Sequence, residues 1–350
     1  MKTSHWFILI FSVMIISCGK ENRWDIELPQ EKVDLKITDI SKDFFDTEIP
    51  LAKVQEKYPF FFLDTVSNEV WEAQRRNPYE KSVYDSVVHT FQKYGKLESD
   101  LEELFTYYKY YFPQQGIPQV YTFSSTLQEN IFYPVIYGSR EGLMFIALDG
   151  FLGSKSQLYT QQNTIKVYDY MLQNMNPENL APAVVQAIGL EIVPFNIRQQ
   201  AFIDLMVDEG KKLVLADALL PSTSDELKIG YTKSQLEWAI ANEGDIWNYF
   251  VEQNMVFKND KSLRERFLQP APFSKFLNEI ETESPGRIGA WIGWQICRKY
   301  MEENPEVTLE EFINQDTQLI FKESKYKPKK GNREYGPTEN ESNDEVEKYE

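Results

Sequence analysis

Hydrolysis by a protein-bound zinc ion needs two imidazoles one helical turn apart and a third ligand, and a serine triad needs an imidazole beside its nucleophile. This chain contains only His5 and His89. His5 lies in an N-terminal stretch that reads as cleaved, which leaves His89 in Ser86-Val87-Val88-His89-Thr90-Phe91. That stretch has the pattern of an amphipathic helix, where a packed or surface histidine is expected in preference to a catalytic one. Carboxylates are the remaining resource. A pair drawn from Asp149, Glu191, Asp208 and Glu209, facing each other about 5–9 Å apart across a groove, would serve a glycan hydrolase, with Trp and Tyr as sugar platforms. Glycan binding without catalysis would need exposed, coplanar aromatic rings, whereas Trp291 and Trp294 read as buried or half-buried.

The other reactive atom is the sulfur of Cys18. It follows an apolar run, Trp6 to Ile16, that is too short for a permanent membrane helix and carries one fixed charge ahead of it, Lys2. The sequence Ile15-Ile16-Ser17-Cys18 resembles the lipobox of bacterial lipoproteins, in which the cysteine takes a diacylglycerol before the signal is removed. Residues 1–17 are therefore expected to be a lipoprotein signal peptide and Cys18 the lipidated first residue, with membrane lipid as a partner. Acylation of Cys18 would leave Cys297 without an intramolecular partner, so the fold must be held by its core alone.

The formal charge of the 350-residue chain is −17. Such a body repels polyanions, so no nucleic-acid partner is expected. Residues 18–49 are polar with a few alternating apolar side chains and read as a lipidated tether ending in a short strand around Val33, Leu35 and Ile37. Residues 50–324 read as a single domain. Residues 325–350 open with lysines and end in Asn, Asp and Glu, and they read as a disordered charged tail.

Within the domain, helical periodicity is expected over residues 51–58, 66–75, 79–94, 99–112, 164–174, 178–192, 196–219, 232–253, 262–268, 287–303 and 308–324. Prolines 177, 194, 221, 285 and 305 separate several of them. Ser99 with Glu102, Thr232 with Gln235 and Thr308 with Glu311 have the spacing of capping boxes. Residues 120–123, 131–137 and 143–148 are rich in β-branched and aromatic side chains and predict strands, with Pro134 placing its strand at an edge or a bulge. The fold class is α+β, mostly helical, with a small mixed or antiparallel sheet flanked by helices. In the helix beginning at Arg287, Gly289, Gly293 and Cys297 recur every four residues, a stripe that lets another backbone approach, while Trp291 and Trp294 flank it. A cation at a helix N-terminus is poorly placed unless an acid faces it, so Arg287 is expected to pair with Glu209 or Asp149.

Four stretches, Glu209-Gly210-Lys211-Lys212-Leu213, Asp225 through Thr232, Pro270 through Phe276 and Glu283 through Gln295, together with the lipobox, resemble the gliding-motility lipoprotein GldB family of Bacteroidota from the lipobox through Lys330. That family in turn resembles gluzincin-type zinc peptidases that have lost their metal site. The resemblance places Glu209-Gly210 where the third ligand would stand and the helix Val184 to Glu191 where the imidazoles would stand, with Gln186 and Leu190 in their places. It implies a gluzincin-like fold without the zinc site, no cofactor and no metal. Asp149, Gln186, Glu209 and Arg287 would line a vestigial cleft. The role it implies is a non-catalytic, lipid-anchored cell-envelope component, facing the periplasm from the outer membrane and contacting other gliding or secretion proteins.

Overall fold

The computed structural model describes residues 23–28, 32–161, 166–277 and 281–329. The expected signal peptide, Cys18 and residues 330–350 of the expected tail lie outside the described residues. The tail's start at 325–329 is described and is not free, since Tyr326 packs on Trp247 and donates to Glu243 at 2.8 Å. The elements run in chain order as β1 (Ile37–Asp39), α1 (Ile40–Phe45), α2 (Leu51–Lys57), α3 (Asn68–Arg75), α4 (Pro78–Tyr94) and α5 (Leu97–Tyr111). There follow β2 (Gln119–Phe123), β3 (Val135–Gly138), β4 (Leu143–Ala147), α6 (Gln157–Gln161), α7 (Asp169–Leu172), α8 (Leu180–Ile192) and α9 (Phe202–Leu219). The C-terminal half is helical throughout: α10 (Asp225–Ile229), α11 (Lys233–Ala241), α12 (Glu243–Glu252), α13 (Lys261–Phe267), α14 (Ile288–Glu303), α15 (Leu309–Asn314) and α16 (Thr317–Ser324).

The sheet has the order β1-β2-β4-β3. β1 and β4 both run parallel to β2, and β3 pairs antiparallel with β4 at the edge. The sheet is therefore mixed, and Pro134 sits just ahead of an edge strand, where its missing N–H costs no ladder bond. α8 packs on β3 and on α9, and α9 lies against α14. One contiguous apolar cluster, from Trp24 to Ile320, joins the sheet and these helices, which makes the fold mostly helical α+β.

Several local expectations differ. Ser99 does not cap α5, because the helix starts at Leu97 and puts Ser99 in its first turn, where the hydroxyl donates back to the Lys96 carbonyl at 2.9 Å. The capping boxes at Thr232 and Thr308 are present. The helices expected over 232–253 and 308–324 are each broken. Asn242 separates α11 from α12 and turns its amide onto the Trp238 carbonyl, while Asp316 starts α16 by accepting from the Leu319 N–H. Residues 131–137 are not one strand, since a 3₁₀ turn at Glu129–Phe132 precedes β3. The tether expected at 18–49 gives way well before residue 49. Trp24, Leu35, Ile40, Phe44 and Phe45 are all buried in the main cluster, and burying them outweighs the entropy of a free linker.

Candidate functional site

The site is built on the crossing of α9 and α14. A Cβ added to Gly293 would stand 1.7 Å from the Met206 carbonyl oxygen, and one added to Gly210 would stand 2.3 Å from the Gly293 carbonyl oxygen. The helices therefore touch backbone to backbone, which only glycine permits. Gly289 faces Leu268, Phe267 and Phe202. Trp291 and Trp294 are buried beside the stripe, edge to face at 5.8 Å, so neither offers a sugar platform.

The four sequence stretches quoted above converge where α14 begins. Arg287, the residue before the helix, holds a left-handed backbone at φ 59°, a conformation costly for a non-glycine residue and kept only where surrounding contacts demand it. Its guanidinium donates to the Ile229 carbonyl at 3.2 Å and to Glu209 Oε2 at 3.3 Å. The Tyr231 hydroxyl donates to the Gly286 carbonyl at 2.8 Å. Buried Ser274 donates its hydroxyl to the Pro285 carbonyl at 2.7 Å and accepts the orphan N–H of Ile288 at 3.1 Å, doing from another loop what an N-cap does locally.

Glu209 receives a second cation, Lys212 Nζ, on Oε1 at 2.6 Å. Burial by itself would push the Glu209 carboxyl up, but the charges and hydrogen bonds of Lys212 and Arg287 outweigh it and hold the group below the usual carboxylate range. Asp208, next on the same helix, has no hydrogen-bond or ion-pair partner among the described residues. Burial pushes it up to about 6 against the pull of Lys211 and Lys212. Both acids open onto a cleft of about 210 Å³ between the end of α8, α9 and α13, whose lips include Leu190, Phe195 and Arg264. Leu190 and Phe195 are 64% and 63% exposed.

Of the four residues expected in a cleft, Glu209 lines it and Arg287 reaches it through Glu209, while the other two stand elsewhere. Gln186 is exposed on α8, one turn before the part of that helix that lines the cleft. Asp149 is fully buried behind the C-terminal ends of β2 and β4. There its carboxylate collects the Ser125 N–H at 2.8 Å, the Ser125 hydroxyl at 2.8 Å and the Leu127 N–H at 2.7 Å. Thr126 and Leu127 carry positive φ to aim these donors, so Asp149 organises a loop and is absorbed by it. Burial raises its carboxyl, and the donors pull the other way. Glu191 accepts from the Ser139 hydroxyl at 2.8 Å, and His89 is exposed on α4. Lys212 and Arg264 were absent from the sequence-based site. The Glu209–Lys212 spacing of three residues was the signal for the former, and nothing local marks the latter.

No described helix is long and apolar enough to cross a membrane. No curated protein and no solved structure matches the chain. A family model described as gliding motility protein GldB, and named as a lipoprotein model, matches residues 21–328. The converging stretches 209–213, 225–232, 270–276 and 283–295 all fall inside that match, and the chain belongs to the GldB gliding-motility family.

Proposed function

We propose that this chain is a non-catalytic, lipid-anchored component of the cell envelope that serves gliding motility, and its associated secretion machinery, through contacts with other proteins. Diacylation of Cys18 would hold it at the outer membrane, facing the periplasm, and two acyl chains suffice for lasting attachment. One observation supports a scaffold over an enzyme most directly. Each oxygen of Glu209 is taken by a cation of the chain itself, Oε1 by Lys212 and Oε2 by Arg287. A carboxylate neutralised in this way makes a poor metal ligand and a poor nucleophile. With Asp149 absorbed by its loop and Glu191 turned to Ser139, Asp208 is the one uncommitted acid of those four candidates, where glycoside hydrolysis needs two carboxyls.

A strain lacking the protein should fail to spread on agar, and wild-type protein should restore spreading where the Cys18→Ala form does not. In-cell crosslinking read by mass spectrometry should then yield envelope proteins that disappear with Cys18→Ala. Normal spreading of the deletion strain would remove the motility role. Stoichiometric transition metal in the purified protein, with turnover of a peptide, would replace the scaffold by a peptidase.

A further inference from the structure

Arg23 is the first described residue, and it is already fastened to the body. Its Nη1 donates to the Met301 carbonyl at 2.6 Å, and its Nη2 donates to the carbonyls of Val307 at 3.0 Å and Pro305 at 3.3 Å. These acceptors lie at the C-terminal end of α14 and in the turn behind it, where unpaired carbonyls favour a cation. The guanidinium also covers the Trp24 ring at 4.9 Å. Trp24 is 8% exposed and meets Tyr111, at the end of α5, edge-on at 5.9 Å. Cys18 and Arg23 are five positions apart. Fully extended, that stretch spans no more than about 18 Å.

We propose that this short leash decides which end of the body meets the lipid. The pole made by Arg23, the C-terminal end of α14, residues 304–308 and the end of α5 is the surface held against the bilayer that carries the acyl chains. The assembly around Arg287 is turned away from it. The assignment rests on lipidation of Cys18, part of the function proposed above. The two ends are separated by the sixteen residues of α14, about 24 Å of helix. Tyr110, 51% exposed at this pole, presents a ring with an apolar body and a polar tip, as suits a headgroup layer. Asp25 and Glu306 are exposed in the same region, and Glu303 there is paired with Lys299 and Lys325, so among the described residues the pole carries no basic patch for anionic lipid and attachment through the leash keeps it in place. With the pole inward, the cleft beside Glu209 faces the space where partner proteins approach.

The test uses the full lipidated chain in phosphatidylcholine vesicles containing a small share of nickel-chelating lipid. Cys297 is fully buried, so a single added cysteine takes the spin label, either Glu306→Cys at the pole or Phe195→Cys at the cleft. Nickel in the lipid should relax the label at position 306 several-fold more than the label at 195, at low and high salt alike. Inserting about fifteen Gly and Ser residues between Asn22 and Arg23 frees the body to turn and should erase the difference. Equal or reversed relaxation with the native leash overturns the pole while leaving lipidation intact. Intact mass reads the lipid separately, and a Cys18 without diacylglycerol overturns the anchoring and the pole together.

Discussion

Two ion clusters tie α9 to α14, and they are finished to different degrees. Towards the C-terminal ends, Asp217 receives Arg298 on both oxygens at 2.7 and 2.8 Å, the Trp294 indole N–H at 2.9 Å and Lys228 at 3.1 Å. Arg298 also spans both oxygens of Asp225, at 2.7 and 2.8 Å, and lies 3.7 Å over the Trp294 ring. The side chains of Asp217 and Lys228 are each 5% exposed. Towards the N-terminal ends, Glu209 has two cations but is 22% exposed at a cleft, and Asp208 beside it has no direct partner among the described residues. Arg298 and Asp225 stay 30% and 35% exposed, but the buried Asp217 at the centre of the closed cluster has both oxygens paired, as a buried charge must. The open one leaves a carboxyl without a direct partner among the described residues and two exposed apolar lips.

Removing the shared frame should cost most. In Gly293→Ala the new methyl meets backbone that cannot move aside, and we expect a loss of about 4 kcal/mol in urea unfolding, or no soluble protein. Gly289→Ala meets the flexible end of Leu268 at 2.9 Å and the Phe267 carbonyl oxygen at 3.0 Å, a far milder approach than 1.7 Å, and should lose well under half of that. Equal losses would mean that the crossing is not the rigid element. Asp217→Asn leaves buried Lys228 and the part-exposed Arg298 short of a charge, and should cost about 3 kcal/mol by the same measurement. Glu209→Gln, with water within reach, should cost about 1 kcal/mol. A cycle with Arg287→Gln should show coupling, so strictly additive losses would refute the pairing. If Glu209→Gln cost as much as Asp217→Asn, the contrast between a closed and an open cluster would fail.

Much of this frame was legible before the fold. The recurrence of Gly289, Gly293 and Cys297 every four residues states a close approach in local terms, and the poor placement of Arg287 at a helix start called for an acid, which is Glu209. What escaped depends on contacts far apart in the chain. Asp149 follows a strand like many surface aspartates, and only the left-handed turn at Thr126 and Leu127 shows that its carboxylate is already occupied. Residues 18–49 read as a tether because their apolar residues are sparse, yet Arg23 finds its acceptor 278 residues away and Trp24 is enclosed by that contact. Sparse apolar residues close a segment onto the body when each one reaches a preformed hole, and composition carries no sign of the hole.

The smallest effect separates the two neighbouring acids by sign. An unfolded aspartate titrates near 3.9, whereas Asp208 in the folded chain is pushed up to about 6. Between those values the folded form holds a proton that the unfolded form has released, so stability falls as pH rises from about 4 to 6 and the full penalty stands above 6. Glu209 is shifted downward, so its stabilisation is present above the unfolded glutamate value and is lost as pH falls through its folded one. Asp208→Asn should therefore stabilise the protein at pH 7.5 by about 1 kcal/mol, after allowance for screening at the open cleft, and should change nothing at pH 4. Melting temperatures across that range check it. A variant curve running parallel to the wild type would show that folding does not raise the Asp208 carboxyl, and the contrast with Glu209 would fall.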